Sequence, residues 1–118
     1  MLFRSRLEQA FDLLGQPANG VKCKGMEGIL DEGEEVMKEK ATPETLDAAI
    51  ILAAQKVEHY EIAAYGSLAT WAEMLGRQDL KRLLGTTLQE EKEADEKLTE
   101  LAESRINRQS AQQSRKAA

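Results

Sequence analysis

Apolar residues return every three or four positions along most of this 118-residue chain, the period of an amphipathic helix. Between Arg4 and Leu14 the returning residues are Leu7, Ala10, Phe11 and Leu14, and Gly15 and Pro17 end the run. This first helix opens without a capping residue or a lead-in. Positions 16–22 read as loop. From Lys24 to Lys38, Met26, Ile29, Leu30, Gly33, Val36 and Met37 share one side. Gly25, Gly28 and Gly33 each weaken a helix there by up to about 1 kcal/mol relative to Ala, so an irregular helix is expected. The next start is well marked. Thr42 is a good N-cap, Pro43 suits the first helical position, and Glu44 and Asp47 complement the dipole. No breaker follows until Leu75, and Gly76 is a natural C-terminal cap. A fourth helix is predicted from Gln78 or Asp79 to about Ser104. The pattern is that of an all-α domain over residues 1–103, centred on a long antiparallel hairpin of the third and fourth helices, with a polar, basic, disordered tail over 104–118.

Within the hairpin, each long helix carries a heptad-like stripe. On the third helix it runs Ile50, Ala54, Val57, Glu61, Ala64, Leu68, Trp71, Leu75, and this stripe is expected to be the buried seam, with Trp71 in the core. On the fourth it runs Leu80, Leu84, Thr87, Glu91, Ala94, Leu98, Leu101. Each stripe has one charged member, Glu61 or Glu91. Glu61 lies 15 residues before Gly76 and Glu91 15 residues after it. At 1.5 Å per residue both stand roughly 22 Å from the turn, so an antiparallel hairpin brings them to the same height. A carboxylate in an apolar seam needs a proton, a basic partner or a cation.

Glu58 precedes Glu61 by three residues and Asp95 follows Glu91 by four, spacings that share a helix face. Glu58, Glu61, Glu91 and Asp95 thus form a candidate oxygen-rich cluster, suited to Mn, Fe(II), Mg or Ca. The plain alternative is structural: Glu61 and Glu91 at the seam edge, paired with Lys56, Lys92 or a tyrosine hydroxyl, with Glu58 and Asp95 solvated. Tyr60 and Tyr65 fit either a hydrogen bond to a carboxylate or simple amphipathic packing. His59 reads as a surface or interface histidine and Cys23 as an ordinary thiol.

Composition narrows the classes. Aromatic residues are only 4%, so the core is aliphatic, as helix-on-helix packing prefers. The net charge is −5, and Arg105, Arg108, Arg115 and Lys116 sit in a tail without acids, which leaves the body more acidic still. An acidic body argues against general nucleic-acid binding. The single cysteine excludes an internal disulfide or CxxC pair, and no apolar run reaches membrane-spanning length. A cytoplasmic setting is the expectation. Phosphate loops, GxSxG and HExxH are lacking, and the one histidine excludes two-histidine sites within a chain.

The stretch Gln55-Lys56-Val57-Glu58-His59-Tyr60-Glu61-Ile62-Ala63-Ala64-Tyr65-Gly66 resembles the bacterial YciE/YciF family of ferritin-like proteins. So do Lys22-Cys23-Lys24-Gly25-Met26-Glu27-Gly28 with Glu32-Gly33-Glu34-Glu35, and Glu90-Glu91-Lys92-Glu93-Ala94-Asp95-Glu96-Lys97-Leu98. Arg6-Leu7-Glu8-Gln9-Ala10-Phe11 with Leu13-Leu14-Gly15 fits the end of the family's second helix, and the resemblance spans roughly residues 4–103. It implies a ferritin-like four-helix bundle, a link to bacterial stress responses, and a di-metal carboxylate site holding iron or manganese. The matching positions are Glu58, Glu61, Glu91 and Asp95; which of Glu58 and Glu61 ligates is left open. The family's first helix and the start of its second, with their carboxylates and a histidine, have no counterpart here, so the site is expected to be incomplete in one chain. Pairing of two hairpins as a homodimer would supply a second set of glutamates. The sequence therefore leads to a ferritin-like, stress-associated protein with no defined catalysis. The competing expectation is a metal-free helical dimerisation or interaction module.

Overall fold

The computed structural model describes residues 2–117, the two end residues of that span by backbone alone. Helix α1 is Leu2–Leu14, α2 Lys24–Met37, α3 Pro43–Met74 and α4 Gln78–Leu101; a π-helical segment, Ala102–Ile106, leads into α5, Asn107–Ala117. Among the described residues there is no strand, and no helix is long and apolar enough to cross a membrane.

The helix ends follow local chemistry. The Thr42 hydroxyl accepts the Thr45 N–H at 3.3 Å, as an N-cap should. Cys23 caps α2 through its sulfur, which accepts the Met26 N–H at 3.5 Å. α1 and α3 end in the same motif. Gly15 and Gly76 take positive φ (67° and 72°). The Gln16 and Arg77 N–H groups then reach back to the Phe11 and Ala72 carbonyls, which closes each final turn.

The chain divides into two compact units, Met1–Lys22 with Tyr60–Lys92, and Cys23–His59 with Glu93–Ala118. In the first, Ala10, Tyr65, Ala69, Ala72, Leu80 and Leu84 form the core, flanked by Leu7, Leu83 and Leu88. In the second, Ile51, Ala102 and Ile106 do so, with Ala48 and Leu98 against them.

Three expectations change. α2 is one regular helix despite its glycines, and a methyl group at Gly33 would meet the Ala53 Cβ at 3.7 Å, an ordinary van der Waals contact. The segment expected to be a disordered tail carries helix to Ala117. The π turn sets Ala102 and Ile106 together against Ile51, and the Thr45 and Ser110 hydroxyls meet at 3.1 Å. The third change is the seam of α3. Its buried residues are Ile51, Tyr65, Ala69 and Ala72, one position round from the predicted stripe. Trp71 and Leu75, expected in the core, are 59% and 78% exposed, and Ile50 and Leu68 are exposed too. α3 is apolar on more than one side. In the first unit the side bearing small Ala69 and Ala72 packs against Leu80 and Leu84, because small residues allow close approach. On α4 the expected face holds from Leu80 to Glu91, with Leu80, Leu84, Thr87 and Glu91 buried, while Leu101 at the end of the expected stripe is 42% exposed.

Candidate carboxylate site

α4 presents Glu91 from the same face as Leu84 and Thr87, and the residue is only 4% exposed. α3 presents Glu61, half-buried, one turn before Tyr65, which is 8% exposed. The Tyr65 phenol is held above its ordinary value, first by burial and then by the charges of Glu61 and Glu91, with Arg6 opposing. Both glutamates therefore act on one buried hydroxyl, and both have interaction partners.

Arg6 of α1 is what the sequence reading missed. Its guanidinium grips Glu90 through two hydrogen bonds of 2.7 and 2.6 Å. It also donates to the Thr87 hydroxyl at 3.1 Å; Thr87 is 1% exposed. The bidentate pairing holds the Glu90 carboxyl below its ordinary range. The Arg6 cation also lies over the Phe3 ring, 5.9 Å from its centre. The signal was there, since Arg6 falls on the apolar side of its helix, among Phe3, Leu7 and Ala10. At the other end of α1, Arg77 donates to the Leu13 carbonyl at 3.1 Å and pairs with Asp79 at 2.8 Å. That pairing, with the Leu80 N–H also donating to Asp79, draws the Asp79 carboxyl down to about 2. The segment of α4 leading to Glu91 is thus fixed from two sides.

Glu58 and Asp95 belong to the second unit. Asp95 accepts from Gln55 at 3.4 Å and meets His59 Nε2 at 3.0 Å, while Gln55 also donates to Thr99 at 2.8 Å. His59 is exposed, as expected of a surface histidine. Glu58 is less solvated than expected, since its Oε2 is buried with no hydrogen-bond partner. Lys56, considered as a partner for the seam glutamates, pairs with Glu32 of α2 at 3.1 Å. Among the described residues no three His, Cys, Asp or Glu side chains converge as a ligand set. What the first unit offers is two carboxylates beside a buried phenol. These are hard oxygen donors, which fit in kind an octahedral cation that keeps several waters.

An all-α chain built on a long helical hairpin with a buried carboxylate is the class that fold and site define. Residues 4–111 match the family described as "Domain of unknown function (DUF892)", and the chain belongs to it. It is 53% identical over 88 residues to protein YciF of Escherichia coli K12, an alignment covering 75% of this chain and 53% of that protein. The chain thus spans about half the length of that relative. The crystal structure of the E. coli stress protein YciF superposes with a TM-score of 0.83 at 46% identity, covering 89% of this chain and 67% of that one. YcfI of Rhodopseudomonas palustris superposes at 0.79 and 49% identity, covering 82% and 62%.

Proposed function

We propose that this chain is a ferritin-like, stress-associated protein that binds a divalent cation through Glu61 and Glu91, without a catalytic activity of its own. The observation that carries the reading is Glu91, a carboxylate 4% exposed beside Leu84, on the face where Glu61 and Glu91 act on one tyrosine. A bound Mn(II) or Fe(II) would supply positive charge where burial disfavours carboxylates. Tyr65, kept protonated by its surroundings, can donate to a carboxylate and hold its orientation. Arg6 anchors the α4 turn that carries Glu91 by holding Glu90 and Thr87. The likeness to the stress protein YciF supports the physiological half of the reading.

The test is Mn(II) titration of the purified chain, followed by the loss of the free-ion paramagnetic signal, for the native sequence and Glu91→Leu. Stoichiometric binding abolished by the substitution is the expected result; no binding at micromolar metal would overturn the reading. The exposed Trp71, Met74 and Leu75 favour a second reading, a metal-free interaction module. On that reading Mn(II) neither binds the chain nor raises its thermal midpoint, and Glu91→Leu leaves the response to Mn(II) unchanged.

A further inference from the structure

The last helical stretch of the chain has two unlike sides. Ala102, Ile106, Ser110 and Gln113 return at steps of four, four and three, and they are the residues of the π segment and α5 that are buried or half-buried. Ala102 and Ile106 lie against Ile51, and the Ser110 hydroxyl meets that of Thr45, so this side faces helices of its own unit. Away from it stand Arg105, Arg108, Gln112 and Arg115, at steps of three, four and three, with Lys116 beside them, and all five are exposed. No acid follows Glu103.

An exposed cation is ordinarily just solvated. What sets this face apart is that its charge is gathered and left uncompensated. Arg4, Arg6 and Arg77 each hold a carboxylate. Among the described residues, Arg105, Arg108, Arg115 and Lys116 hold none, although the chain carries 21 acids. Three of the four are arginine, whose planar fork matches phosphate oxygens. At 1.5 Å per residue, Arg108 to Arg115 spans roughly 10 Å, and a duplex carries one charge per roughly 1.7 Å of its axis, so several phosphates fall within reach. Gln109 and Gln112 add amide donors of the kind that bond phosphate and sugar oxygens.

Other anionic partners fit this face less well. Single strands are held by stacking on aromatic side chains, and residues 102–117 contain none. A helix that lies on a membrane turns large apolar side chains towards it, and the one such residue here, Ile106, is spent on Ile51.

We propose that the outward face of α5 docks the phosphate backbone of duplex DNA, without reading bases, through Arg105, Arg108, Arg115 and Lys116. The acidic body, which argues against a general nucleic-acid protein, confines the contact to this face and keeps it weak. Salt limits its repulsion to charges within about 10 Å of the docked backbone.

The test is the fluorescence anisotropy of a short labelled DNA duplex of arbitrary sequence, titrated with the full chain. A chelator is present, so the outcome is independent of Mn(II) binding. Saturable binding is expected at about 50 mM salt, weakening on the order of a hundredfold by about 200 mM, the loss that three or four neutralised phosphates give. Arg108→Gln combined with Arg115→Gln, both at exposed positions, should leave circular dichroism unchanged. It should weaken low-salt binding at least about tenfold and lower the salt slope by about two. Lysine at both positions should restore the slope. No binding at low salt overturns the proposal, and so does binding indifferent to the glutamine pair. Tighter binding to the single strand, or to phosphatidylserine vesicles at equal phosphate concentration, overturns it as well.

Discussion

In the first unit the helices are tied by charge: Arg6 holds Glu90 and Thr87, Arg77 holds Asp79 and the Leu13 carbonyl, and Glu91 sits in the core near Tyr65. In the second, the descent from α4 into α5 is held by hydrocarbon, Ala102 and Ile106 against Ile51, with a few neutral hydrogen bonds around it. The difference shows where specificity lies. An aliphatic contact tolerates small rotations, whereas a bidentate arginine on a turn next to a buried glutamate sets one rotation of α4. The first unit therefore orients a carboxylate, and the second chiefly buries surface.

The largest expected effect removes the aliphatic contact. Ile106→Ala should cost about 3 kcal/mol in urea unfolding, the range for a buried isoleucine, and helix content should fall as α5 detaches. A loss below about 1 kcal/mol would mean that α5 is not held by this contact. Next comes the exception within the second unit. Glu58→Met removes a buried oxygen without a partner, so the metal-free chain should gain about 1 kcal/mol. A loss of stability instead would show that Glu58 has a partner in solution. The smallest effects are in pH and belong to the first unit. Asp79 titrates at about 2 in the folded chain against an ordinary 3.8, so its contribution is whole above pH 4 and disappears as pH falls towards 2. Glu90, also depressed, gives the same sign. Tyr65, raised, gives the opposite limb: its contribution is whole below about pH 10 and lost above it. Melting across pH should show both limbs, with Asp79→Asn flattening the acid one and Tyr65→Phe the alkaline one.

Much of this was legible in the residue order, because it depends on neighbours in the chain. Thr42 and Pro43 start α3, Gly76 ends it, and the hydrophobic period places Leu80, Leu84, Thr87 and Glu91 on one face of α4. The symmetric placing of Glu61 and Glu91 about the turn follows from the same arithmetic, while the family resemblance rests on the particular residues at 22–35, 55–66 and 90–98. Period alone could not choose between two apolar faces of α3. That choice was made by fit, since alanines at 69 and 72 admit the leucines of α4 and Trp71 does not. Nor could it show that residues 107–117 hold a helix, which depends on Ile51 lying within reach of Ile106, or that Arg6 would find Glu90 far along the chain. Spacing within a helix is a local property written in the sequence; the face it buries and the partner it finds depend on the shapes of other helices, which exist only once the chain has folded.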